Sequence, residues 1–146
     1  TGFDKKLQNY RIKDKSILDV WEMTIDDAYE FFLDIDDNIC EILRSAQKLL
    51  LGHLQIGERI SSLSGGENIR IKLVAALKGK SEVYGIDEPF KGLDNSEIFV
   101  VVKALAEICK QKKTVIVVDH EENSFKYFAR HIELTNQKGI LVGKEI

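Results

Sequence analysis

Leu63-Ser64-Gly65-Gly66-Glu67 and, further along, Val83-Tyr84-Gly85-Ile86-Asp87-Glu88-Pro89 are the two stretches whose reading decides the fold. The first is a glycine turn feeding a buried helix. Residues 69–77 are strongly apolar with Arg70 and Lys72 interleaved, and Gly79 closes them. Gly65 and Gly66 expose backbone N–H groups with no side chain in the way. Ser64 adds a hydroxyl, and the N-terminus of a helix attracts anions. The arrangement suits a phosphate; the plainer reading is a bare glycine turn. The second stretch opens with a short apolar run, 83–86, whose length and composition favour a buried strand. It ends in Asp87 and Glu88. A second strand, the β-branched run 114–118, ends in Asp119 and His120. Ligands and catalysis collect at the carboxyl ends of strands in open α/β sheets. An Asp there can hold a magnesium ion through water. A neighbouring Glu can orient or deprotonate an attacking water, and a His can touch a reacting phosphate. The plainer readings are a turn cap for Asp87 and Glu88 and an ordinary strand-end histidine for His120.

Outward from these stretches the periodicity alternates. Residues 96–109 place Ile98, Val101, Val102, Leu105 and Ile108 on one helical face, and 110–113 are a basic exit. A short helix through Phe125 and Phe128 follows. Residues 129–134 and 140–142 then read as a terminal hairpin around the four-residue link Asn136 to Gly139. Toward the N-terminus, Phe3, Leu7, Tyr10 and Ile12 alternate with charges as an extended arm or short strand. Lys13, Asp14 and Lys15 fit a turn. Thr24 is an N-cap, with Asp27 where a capping box would carry Glu or Gln. Ala28, Phe31 and Phe32 supply its apolar stripe. A further helix over 38–51 sets Ile39, Ile42, Leu43, Ala46 and Leu50 on one side, with Gly52 ending it. Helices followed by alternating strand and helix predict an α/β fold, a sheet layered with helices.

The chain has 146 residues, which suits one compact domain. Acidic residues exceed basic ones, 24 to 21, for a formal charge of -3, which excludes a generally basic nucleic-acid surface. No apolar run approaches the roughly 20 residues of a membrane span, so no membrane partner is expected. Cys40 and Cys109 stand far apart and read as buried thiols of a reducing compartment, pointing to the cytoplasm. No secretory leader is read, and the opening on Thr1 reads as a cut from something longer. The acids between Glu22 and Glu41 lack the loop pattern of a calcium site and read as a solvated helical face. Lys103, Lys110, Lys112 and Lys113 form a basic cluster suited to a helix C-terminus, with no aromatic interleaving for base stacking.

Leu63-Ser64-Gly65-Gly66-Glu67 resembles the signature motif of the ATP-binding cassette (ABC) ATPases. The run 83–88 resembles the magnesium-binding Walker B strand, with Asp87 in the metal role and Glu88 in the hydrolytic role. Gly92-Leu93-Asp94 resembles the D-loop that crosses the dimer interface, and Val117-Val118-Asp119-His120 the switch-histidine segment. The segment 17–32, with Met23-Thr24 and Phe31-Phe32, is similar to the UvrA-like branch, the A subunits of the nucleotide-excision-repair excinuclease. So are 52–57, and Glu67 with Arg70, Lys72 and Leu73. The resemblance implies a partial P-loop NTPase nucleotide-binding domain. Residues 1–60 would be an arm and helical signature-region segment. Residues 61–146 would hold the signature helix, Walker B strand, D-loop, switch histidine and terminal hairpin.

It further implies ATP and magnesium as cofactors of the intact protein, and a role in recognising damaged DNA. The implied partners are an opposite nucleotide-binding unit, DNA and a downstream excinuclease subunit. Glu88 and His120 would be catalytic. Leu63, Ser64, Gly65, Gly66, Glu67, Asp87 and Asp94 would contact the nucleotide, and Asp87 the metal. The family's zinc has no ligands here, because Cys40 and Cys109 lack CxxC spacing. A Walker A sequence ending Gly-Lys-Ser/Thr is missing from these residues, so the chain alone is expected to be inactive. Gly85 and the pair Phe90-Lys91 depart from the bulky and small residues common in the family. Those departures leave a second reading from another class, a degenerate cassette module that binds and regulates another protein without catalysis.

Overall fold

Two parallel strands and the helix joining them carry the site. In the computed structural model, which describes residues 7, 9–137 and 140–145, β3 (Val83–Asp87) pairs with β4 (Thr114–Val118). Val83 lies opposite Thr114 and Asp87 opposite Val118. Parallel strands need a crossover, supplied by α5 (Asn95–Lys110), which buries Ile98, Val101, Ala104, Leu105 and Ile108. Tyr84, Ile86, Val115 and Val117 pack toward the core, while Val83, Gly85, Ile116 and Val118 lie exposed. The strand expected to be buried is thus covered on one face only. Parallel sheets are ordinarily covered on both, so this face is an unfilled packing surface among the described residues.

A helical layer precedes the strands. A two-residue antiparallel pair, β1 (Arg11–Ile12) with β2 (Lys15–Ser16), turns through Lys13 and Asp14 at φ 45 and 63°. Ser16 caps α1 (Ile17–Glu22). Thr24 caps α2 (Ile25–Phe32): its Oγ1 accepts from Asp27 N–H at 3.0 Å and donates to Asp27 Oδ2 at 2.7 Å. Asp27 therefore works as a cap partner despite its short side chain. α3 (Asp37–Lys48) packs on α2, and α4 (Gly65–Lys78) packs on α3 and α5. One cluster links these layers, with Ala28, Leu49, Leu51, Leu73, Phe90, Val101 and Ile108 at its centre.

Of the face expected on α3, Leu43 and Ala46 are buried, joined by Cys40, whereas Ile39, Ile42 and Leu50 are exposed. The helix ends at Lys48, and Leu50 takes φ 59°, so the chain reverses before Gly52 and drives Leu49 and Leu51 inward. Gly52 serves another purpose: a Cβ there would stand 2.3 Å from an Asp26 carboxylate oxygen. α4 is half-buried rather than buried, with only Arg70 and Leu73 fully inside. Cys40 is buried as expected, but Cys109 is exposed, because it stands one helical step round from Ile108. β6 (Ile140–Glu145) pairs antiparallel with β5 (Ile132–Gln137), so the hairpin closes Gln137 on Ile140 and its link is shorter than the expected four residues. Residues 138 and 139, like Phe3 in the N-terminal arm, lie outside the described residues.

Two outcomes follow for stability. Phe90 is completely buried, its ring 6.1 Å from that of Phe128, so Phe90→Ala should cost about 3–5 kcal/mol in urea unfolding. Glu67, at the start of α4, titrates at about 2 instead of 4.5, chiefly because it accepts a hydrogen bond from Ser64 N–H, with His53 and the Ser64 side chain adding to the effect. The lowered value means the folded state favours the carboxylate. Its stabilisation should be complete above about pH 4.5 and lost as pH falls toward 2. Melting curves of wild type and Glu67→Gln should differ by about 1 kcal/mol at neutral pH and converge over that acid range.

Candidate functional site

The first turn of α4 follows from its own residues. Ser64 Oγ accepts from Glu67 N–H at 3.2 Å, and Glu67 Oε2 accepts from Ser64 N–H at 2.8 Å. This capping box leaves the first-turn N–H groups of Gly65 and Gly66 without intrahelical partners. The Ser64 hydroxyl accepts from Glu67 N–H and also helps hold the Glu67 carboxylate in its charged form. A Cβ at Gly66 would meet Leu93 Cδ2 at 2.8 Å, so glycine lets this turn approach the segment after β3. Gly65 is different: a Cβ there would meet nothing within 4 Å. Packing within the chain does not require glycine at 65.

Opposite this turn, β3 delivers Asp87 and then Glu88. Glu88 stands at φ 47° and donates its N–H to Val118 O at 2.8 Å, extending the parallel pairing by one residue. The chain then doubles back through buried Pro89 and Phe90. Phe90 N–H donates to Asp119 Oδ2 at 3.0 Å, and Lys91 N–H to Glu88 O at 3.3 Å. Lys91 Nζ lies 2.5 Å from Glu88 Oε2. That hydrogen bond, then the Glu88, Asp87 and Asp119 charges, raise the Lys91 pKa. The two walls enclose a cleft of about 410 Å³ lined by Ser64, Gly65, Gly66 and Arg70 on one side and Asp87, Glu88, Lys91 and Leu93 on the other.

The expected site residues divide accordingly. Ser64, Gly65, Gly66, Asp87 and Glu88 share the cleft. Leu63 packs against the core beneath it. Both Glu67 oxygens are engaged, Oε2 by Ser64 and Oε1 by His53 Nε2 at 2.9 Å. Asp94 caps α5: its Oδ1 accepts from the Ser96 hydroxyl and from Glu97 and Ser96 N–H, which lowers its pKa. His120 follows β4 at the same sheet edge but does not line the cleft; its N–H donates to Asp119 Oδ1 at 2.8 Å.

Two contributors, His53 and Lys91, were missed from sequence, while Arg70 pairs with an acid, one of the two roles its place on the helix allows. Arg70 Nη1 donates to Glu97 Oε1 at 3.0 Å, its side chain only 7% exposed and its Nε without a hydrogen-bond partner. His53 braces Glu67, and Lys91 reaches Glu88. The Ser-x-x-Glu spacing of Ser64 and Glu67 and the Asp-x-x-Glu spacing of Asp94 and Glu97 were the available signals for the caps. The partners of Arg70 and His53 lie 27 and 14 residues away and carry no local signal. In the basic cluster, Lys113 Nζ is spent on Gly79 O at 2.6 Å and Lys110 on Glu107 at 2.6 Å.

Among the described residues, no group of three or more His, Cys, Asp or Glu side chains is placed to hold a metal ion, and no helix is long and apolar enough to cross a membrane. Magnesium asks less, one or two carboxylates with water and phosphate completing its shell. Exposed Asp87, beside the α4 N-terminus, fits that donor set.

No family model matches the chain. It is 32% identical to UvrABC system protein A of Streptococcus mutans over a 149-residue alignment, covering 100% of this chain and 16% of that protein. The protein of the same name from Staphylococcus epidermidis is 33% identical over 143 residues, covering 94% and 15%. The chain thus spans about one sixth of the length of these relatives. UvrA2 from Deinococcus radiodurans superposes with a TM-score of 0.81 at 29% identity, over 90% of this chain and 16% of that one. An SmcHead bound to the C-winged helix domain of ScpA shares the fold at a TM-score of 0.57 and 16% identity, over 83% and 49%. With signature turn, acidic strand end and crossover helix in one α/β arrangement, the chain belongs to the UvrA-like ABC ATPases and corresponds to part of a nucleotide-binding domain of that family.

Proposed function

We propose that this chain supplies one signature loop and one set of Walker B acids to an ATPase that recognises damaged DNA in nucleotide excision repair. Two separate observations support it: the helix N–H groups of Gly65 and Gly66 are left unpaired by the capping box at the head of α4, and Asp87 and Glu88 stand at the carboxyl end of β3. Gly65 adds weight, because nothing inside the chain requires a glycine there. A bare backbone at a helix N-terminus lets a phosphate approach closely.

In this reading the Ser64 hydroxyl and the two glycine N–H groups donate to the γ-phosphate of an ATP held by the opposite nucleotide-binding unit. Such donors stabilise charge as it develops in phosphoryl transfer. At the separate ATP of this chain's own unit, Asp87 would hold a magnesium ion, which would supply neutralising charge to the phosphates. Glu88 orients the attacking water and takes its proton, and His120 senses the phosphate at the sheet edge. Leu63, Glu67 and Asp94 serve by holding the signature turn and the D-loop in place. The open face of β3 and β4 receives the rest of the nucleotide-binding domain. DNA and a downstream excinuclease subunit act through the whole protein, in the cytoplasm.

Two measurements test the proposal. In the full protein, Glu88→Gln should keep ATP binding and lower turnover by about 10²–10⁴-fold; wild-type turnover in that variant would refute the role of Glu88. The isolated chain lacks a lysine-bearing phosphate loop and should show no magnesium-dependent ATP turnover. Repeated turnover by the chain, silenced by Glu88→Gln, would show that these residues suffice and overturn the two-unit reading.

A further inference from the structure

Lys91 stands on the cleft wall, and the chemistry proposed above does not use it. Its Nζ lies 2.5 Å from Glu88 Oε2. The pairing is built into the backbone. Glu88 N–H is tied to Val118 O, Phe90 N–H to Asp119 Oδ2, and Lys91 N–H to Glu88 O. Phe90, 0% exposed, nails this turn into the core. Residues 88 and 91 are therefore held three apart on one tight turn, and both line the cleft.

We infer that Lys91 is a positioning residue that restrains Glu88, holding its carboxylate by Oε2 so that the carboxylate must leave the ammonium to serve an attacking water. The inference rests on the hydrolytic role proposed for Glu88. A carboxylate oxygen held against the ammonium is not placed on a water until that contact opens. The pair therefore slows the step Glu88 serves and leaves nucleotide binding alone. The two side chains are 74% and 38% exposed, which keeps the restraint to the size of a surface ion pair.

The test is single-turnover ATP hydrolysis by the full protein, with the half-saturating ATP concentration measured alongside. Lys91→Met and Lys91→Thr should each raise the rate about two- to fivefold, the size of an exposed pair, with half-saturation unchanged. Lys91→Arg, which keeps the cation, should stay at the wild-type rate. Lys91→Met should bring no gain in a Glu88→Gln background. An unchanged or lower rate in the Met and Thr variants, a gain that survives without the Glu88 carboxylate, or a matching change in half-saturation would overturn the restraint. If Glu88→Gln is inactive and Lys91→Met is no faster than wild type, the restraint alone fails. If Glu88→Gln hydrolyses ATP like wild type, the hydrolytic role fails first and the restraint falls with it.

Discussion

Burial of Phe90 is the constraint on which the site depends. A strand that delivers two acids to a cleft must stop abruptly, and here it stops because the third residue after Asp87 is fully enclosed by the core. Reaching that position forces Glu88 to φ 47°, a backbone conformation that costs about 1–3 kcal/mol for a residue other than glycine. Burying a phenylalanine side chain returns about 1.5–3 kcal/mol. The Asp119 carboxylate adds a hydrogen bond to the Phe90 N–H. Asp119 thereby joins the ends of the two parallel strands, since its other oxygen accepts from the N–H groups of His120 and Glu121.

The two helices that flank the cleft begin in the same way. Glu67 closes the capping box of α4 with Oε2 and reaches His53 with Oε1. Glu97 closes the capping box of α5 with Oε2 and reaches Arg70 with Oε1. A carboxylate has two oxygens and can cap a helix while gripping a second element. His53 thus ties the turn before the signature segment to α4, and Arg70 ties α4 to the start of α5. The Arg70–Glu97 pair is largely withdrawn from water, so losing one partner would strand the other. The glycine turn at the head of α4 and the segment that opens α5 are joined through it.

Much of this was legible in the residues. The apolar stripe of α5 at 98, 101, 105 and 108 matches its buried face. The β-branched run at 114–118 is a strand, and Thr24 with Asp27 begins a helix. Each rests on a local rule, either a 3.6-residue period or a side-chain oxygen within reach of its own backbone. Where a reading failed, the deciding contact was remote. On α3 the period placed Leu43 and Ala46 inward, and only the helix's packing brings in Cys40 and leaves Ile39 and Ile42 outside. Cys109 follows Ile108 on a helix whose rotation is set by the strands beneath it.

By itself the sequence determined the order of helices and strands from α2 onward, the glycine turn at the head of α4 and the acids at the end of β3. Those features depend on neighbours within a few residues, where backbone geometry leaves few choices. Only the tertiary structure decided that Ser64, Gly65 and Gly66 face Asp87 and Glu88, that Arg70 joins Glu97, and that Lys91 lies on Glu88 rather than in solvent. The first two are meetings of segments 20 or more residues apart, selected by which surfaces exclude water. The third looks local, but its turn is held by Asp119 and by the core around Phe90, so spacing alone could not give it.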